Sequence, residues 1–71
     1  MKPDEITRVE KYLQDAFSNQ GIALDRSTRK ADSIEVTLAG EFIGVVYRDE
    51  EEGDLSFSFN MAILSEDLPP A

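Results

Sequence analysis

The hydrophobic positions of this chain fall into two rhythms. Between Pro3 and Asn19, the residues Ile6, Val9, Leu13, Ala16 and Phe17 recur at spacings of three and four. That spacing lays one apolar stripe along a helix of about 25 Å. Pro3 suits the first helical position, where its missing N–H would have had no partner. Asp4 and Glu5 follow, in the turn where negative charge complements the helix dipole. Asp4 and Arg8 stand four apart in the order that favours pairing, and Gly21 after Asn19-Gln20 predicts the stop.

From Ser33 to Leu64 the rhythm changes to two. Ile34, Val36 and Leu38 alternate with Glu35 and Thr37, and Ala39-Gly40 marks a turn into Phe42-Ile43-Gly44-Val45-Val46-Tyr47. An acidic stretch then leads to Leu55, Phe57, Phe59 and Met61, interleaved with Ser56, Ser58 and Asn60. Period-two alternation between turn signals predicts a three-stranded antiparallel meander with one buried face. Ile22 and Leu24 suit a short fourth edge strand or an apolar tether. The fold class predicted is α+β: one N-terminal amphipathic helix packed on the meander. It forms a single domain over residues 1–68, with residues 69–71 a frayed tail.

Parity assigns the faces. A two-residue turn at Ala39-Gly40 sets Leu38 opposite Glu41, Val36 opposite Ile43 and Ile34 opposite Val45. A loop from Asp49 to Gly53 sets Arg48 opposite Asp54, Tyr47 opposite Leu55, Val45 opposite Phe57 and Ile43 opposite Phe59. The face under the helix would then be Ile34, Val36, Ile43, Val45, Tyr47, Leu55, Phe57 and Phe59. The reverse would carry Phe42, Gly44 and Val46 among polar residues. A one-residue bulge at Gly40 would exchange the two faces of the middle strand, because register and face are locked together.

Composition narrows the chemistry. The 71 residues hold neither cysteine nor histidine, so thiolate metal sites, disulfides and imidazole acid–base chemistry are absent. The formal net charge of -8 opposes binding to nucleic-acid backbones and anionic membranes, and neither is an expected partner. No stretch approaches the roughly 20 apolar residues of a membrane span, and the charged start Met1-Lys2-Pro3-Asp4-Glu5 lacks a signal-peptide core. A cytoplasmic location is the expectation.

Gly40-Glu41-Phe42-Ile43-Gly44-Val45-Val46-Tyr47-Arg48-Asp49 with its acidic continuation, together with the opening Met1 to Ile6, Arg8-Val9 and Tyr12-Leu13, resembles a family of small alphaproteobacterial proteins known only as a domain of unknown function. The similarity covers almost the whole chain and is weakest over Arg26 to Lys30. It implies a bacterial cytoplasmic setting and one stand-alone domain, and it brings no catalytic or binding residues with it.

Three constellations remain as candidates. Asp49, Glu50, Glu51, Glu52 and Asp54 place five carboxylates in six positions, a composition suited to calcium or magnesium. An EF-hand reading fails, because Gly53 at its sixth position puts Arg48 first and Phe59 twelfth. The plainer reading is a solvated loop that discourages edge-to-edge association. Phe42, Gly44 and Val46 form the second group, a contact surface for a second copy or a protein partner; a mid-strand glycine often marks close approach of another backbone. The plainer reading is cover by the chain itself. Arg26, Arg29 and Lys30 are a weak phosphate footprint on an acidic chain. Tyr12, Tyr47 and the carboxylates are the only groups for proton transfer, and no catalytic site or cofactor is expected. The function predicted is a non-enzymatic protein–protein interaction or regulatory module, with a homodimer through the exposed sheet face as its form; the alternative is a cation or small-ligand binder at residues 49–54.

Overall fold

The computed structural model describes residues 1–71. Helix α1 spans Pro3–Ala16, followed by strands β1 (Ile22–Asp25), β2 (Ser33–Leu38), β3 (Glu41–Glu51) and β4 (Asp54–Met61). Short 3-10 turns occupy Arg26–Thr28 and Ser65–Asp67. The strands form one antiparallel sheet in the order β1-β2-β3-β4. The Ile22-Leu24 segment is therefore a true fourth strand, with Ile22 opposite Leu38 and Leu24 opposite Val36.

The helix begins as its sequence dictates and ends sooner. Glu5 reaches back to accept the Lys2 backbone N–H at 3.0 Å, satisfying one of the donors that a helix start leaves free. The stop comes at Ser18, which takes a left-handed φ of 50°, rather than at Gly21. The stripe is correspondingly shorter: Ile6 and Leu13 are buried and Val9 packs against them, whereas Phe17 is exposed. The predicted Asp4–Arg8 pair does not form.

The Ala39-Gly40 turn has the predicted two residues, both with positive φ (51° and 85°), and sets Leu38 opposite Glu41. The bulge lies farther along. Thr37 faces Phe42 but Val36 faces Gly44, so Ile43 is the extra residue. Beyond it β3 is turned over relative to the parity reading. Gly44 and Val46 are buried, while Tyr47 is exposed. The second hairpin also differs. Its turn is only Glu52-Gly53, again with two positive φ values (52° and 83°). Asp49, Glu50 and Glu51 extend β3, and Arg48 faces Phe57 instead of Asp54. The left-handed pair matches the strand twist, and only the glycine takes it without steric cost.

The core is small. Ile6, Leu13, Ile22, Leu24, Ile34, Val36 and Val46 are buried with Met1, whose ammonium group donates to the carbonyls of Lys30 and Ala31 at 2.8 and 2.7 Å. These side chains join α1 to β1, β2 and the middle of β3. The helix lies over the β1 flank of the sheet, so cover thins toward β4.

Candidate functional site

Each margin of a sheet presents unpaired backbone groups that invite another strand. On β1 this fold closes that margin with its own helix. The Glu10 carboxylate accepts from the Leu24 N–H at 2.9 Å, and the Gln14 amide donates to the Ile22 carbonyl at 2.8 Å. Arg26 leans on the same Glu10 oxygen at 3.4 Å. Helix spacing puts residues 10 and 14 on one side of α1, directly against the strand.

On β4 nothing comparable exists. No side-chain hydrogen bond reaches Asp54–Met61. The strand is eight residues long and holds no proline, lysine or bulge, which are the usual devices for blunting an edge. Its helix-side residues are apolar and poorly covered: Phe57 and Phe59 are half-buried, while Leu55 and Met61 are 45% and 53% exposed.

Between this strand and the helix runs an open groove of about 700 Å³. Val9, Leu13 and Val46 form its floor, Leu55, Phe57 and Phe59 one wall, and Arg8 and Tyr12 the opposite rim. Tyr12 is 70% exposed, and Arg8 makes no ion pair. At one end sits Glu5, buried beneath the helix start, with both carboxylate oxygens 3.1 Å from Arg48 Nε. Arg48 lies on the helix side of β3 because the bulge turned the strand over, and its Nη2 also approaches Glu50 at 3.5 Å. The Lys2 N–H and then the Arg48 guanidinium hold the Glu5 carboxyl below its ordinary range, against the opposing effect of burial. The same bond raises the Arg48 pKa.

The second predicted constellation is split. Phe42 is exposed, as expected, but Gly44 and Val46 face the helix side and are buried. The backbone that Gly44 accommodates is the chain's own. A Cβ there would lie 2.3 Å from the Asn60 carbonyl oxygen and 2.7 Å from the Phe59 ring. The outward-facing apolar positions of β3 are instead Phe42, Val45 and Tyr47, the last two opposite Asn60 and Ser58 on β4.

The acidic run is likewise redistributed. Asp49, Glu50 and Glu51 alternate along β3, Glu52 is in the turn, and Asp54 opens β4. Alternation sends neighbours to opposite faces, and no three carboxylates gather where a metal ion could be held. Arg26 opens the 3-10 turn, turned toward Glu10, and Arg29 follows its end. Tyr12 borders the groove and Tyr47 lies on the opposite face of the sheet.

A family model described as "Protein of unknown function (DUF3126)" matches residues 5–67. The chain belongs to this family. The DUF3126 match runs from the helix start through β4 and into the segment after it, so the groove and that segment both fall within the family's own pattern. No curated protein and no solved structure matches the chain. No helix is long and apolar enough to cross a membrane.

Sequence reasoning missed the groove for one reason. It placed the helix centrally over the meander, so that all the alternating apolar residues were covered. The signal available was the polar pair Glu10 and Gln14, four apart beside the apolar stripe, whose hydrogen-bonding reach ties the helix to one margin.

Proposed function

We propose that this chain is a non-enzymatic protein-interaction module that self-associates through β4 and the groove beside it. The observation that carries this reading is the contrast between the two sheet margins: one is closed by Glu10 and Gln14, the other is bare, long and flanked by aromatic residues. An unprotected edge of that kind is a template for strand addition.

The size of the exposed surface supports a second copy as the partner. The accessible area is 5321 Å², against roughly 4400 Å² for a folded monomer of this mass, an excess of about 900 Å². One side of a standard protein–protein interface buries about 800 Å². The radius of gyration, 13.2 Å, likewise exceeds the roughly 11 Å of a compact domain of this length. Antiparallel pairing of β4 with its symmetry mate would join two four-stranded sheets and bring two sets of Leu55, Phe57 and Phe59 together in the trough between two helices. It would also send the acidic hairpin tips to opposite ends, which keeps like charges apart.

Sedimentation equilibrium tests this reading. A dimer is expected at micromolar concentration, and Phe57→Asp is expected to be monomeric with unchanged far-ultraviolet circular dichroism. A wild-type chain that stays monomeric at several hundred micromolar overturns it.

A further inference from the structure

The segment that follows β4 is unusual for its position. Residues 62–68 are all exposed, yet they include Ile63, Leu64 and Leu68, which are 68%, 53% and 58% exposed. Between the last two stand Glu66 and Asp67 in the 3-10 turn. This is an amphipathic strap with no cover of its own, and the family model matches all of it but Leu68.

The groove offers the complement. Its walls are apolar, and on its rim Arg8 makes no ion pair within the chain and is free to take an acidic partner. We infer that the groove between α1 and β4 of one copy is filled by residues 62–68 of the second copy, with Ile63, Leu64 and Leu68 on the apolar walls and Glu66 or Asp67 against Arg8. This rests on the self-association proposed above and specifies what completes it.

Strand pairing brings the partner's strap to the charged end of the groove. Arg48 faces Phe57 and bonds Glu5, so the start of β4 lies beside the start of α1, while Met61 lies near Phe17 at the far end. Antiparallel pairing of two β4 strands therefore delivers the partner's Met61 to the Leu55 end, where Glu5 and Arg8 stand. There the partner chain turns back into the groove, and the strap with its 3-10 turn reaches about 19 Å, more than the roughly 13 Å from Leu55 to Phe59. In its own chain the strap stays off the groove, with residues 62–68 all exposed. The exchange is reciprocal, so both straps are covered by one two-fold arrangement.

The deciding experiment mixes isotope-labelled with unlabelled full-length chain and reads intermolecular nuclear Overhauser effects. The expected result is cross-peaks from the methyl groups of Ile63, Leu64 and Leu68 in one copy to the rings of Tyr12, Phe57 and Phe59 in the other. A chain ending at Met61 is expected to dimerise at least tenfold more weakly. Arg8→Glu is expected to weaken the dimer by about tenfold, as loss of one interfacial charge pair does, and Glu66→Lys with Asp67→Lys in the Arg8→Glu background to recover most of that loss. A dimer lacking those cross-peaks and indifferent to removal of residues 62–71 overturns the exchange while leaving β4 pairing standing. Cross-peaks arising only within one chain overturn it in favour of a folded-back strap. Charge reversal that restores nothing overturns the Arg8 pairing, and a monomeric wild type overturns both proposals.

Discussion

The Glu10 carboxylate accepts the Leu24 backbone N–H at 2.9 Å, so a helix side chain stands where a neighbouring strand would otherwise bond. The hydrogen bond both anchors α1 and blunts β1. Glu10→Ala removes the acceptor and also releases Arg26. The expected cost is about 1 kcal/mol, since the freed N–H can take water instead, measured by urea unfolding. Amide exchange at Leu24 is expected to accelerate while exchange at Val36 stays slow.

Gly44 gives the sharpest stability prediction. Its missing side chain leaves room for the Asn60 carbonyl and the Phe59 ring, and a Cβ at 2.3 Å from that oxygen has no room to form. Gly44→Ala is expected to destabilise the domain by about 2–3 kcal/mol, as forced backbone shifts in a packed region do. Unchanged thermal stability of this variant would contradict the β3–β4 register.

Glu5 sets an acid limit on stability. Its carboxyl is held below the ordinary value of 4.5 by the Lys2 N–H and by Arg48. A carboxylate with a depressed folded-state pKa contributes stability that is fully present above its unfolded value and is lost as pH falls through the folded one. Wild-type stability is therefore expected to decline below about pH 4.5 more steeply than that of Glu5→Gln. The variant is expected to be less stable at pH 7, with the two curves converging in acid. Parallel curves from pH 7 to pH 3 would show that the pair contributes nothing.

Ala39 occupies a left-handed position, φ 51°, in the two-residue turn before β3. Left-handed backbone costs an ordinary residue about 1 kcal/mol, and asparagine before glycine is favoured in such turns. Ala39→Asn is expected to raise stability by about 0.5–1 kcal/mol without altering association.

Phe42 separates the two faces of the sheet. It is 58% exposed, and the residues expected beside it, Gly44 and Val46, lie on the helix side. Phe42→Ser is expected to change stability by no more than about 0.5 kcal/mol and to leave the dimer constant unchanged. Dissociation of the dimer by this substitution would move the interface to the outward face.

The elements of this fold were legible because each has a local cause. Ile6, Val9 and Leu13 mark the helix, β2 and β4 alternate cleanly, and Ala39-Gly40 is a turn that neighbouring residues alone define. The facing of β3 was not legible. Its sequence Phe-Ile-Gly-Val-Val-Tyr is apolar at both parities, so hydrophobicity votes equally for either face. The choice is made by contacts far along the chain: the Asn60 carbonyl that excludes a side chain at residue 44, and the Glu5 carboxylate that draws Arg48 inward. The acidic run misled in the same way. Glutamate and aspartate signal a loop by composition, but an exposed strand extension tolerates them, and the positive φ values needed for reversal confine the turn to Glu52-Gly53. The groove was hidden because periodicity reports which side of a helix is buried and says nothing of how far across a sheet the helix sits.

Ile43 acts as a phase shifter for everything downstream of it. Were Ile43 paired in the ladder instead of bulged out of it, the strands and turns would remain, yet the valine at position 46 would point to solvent, Arg48 would be carried to the opposite surface, and Glu5 would be left under the helix as an unmatched anion. One supernumerary amino acid thus couples the hydrophobic interior and the ionic latch, so neither can be set right without the other.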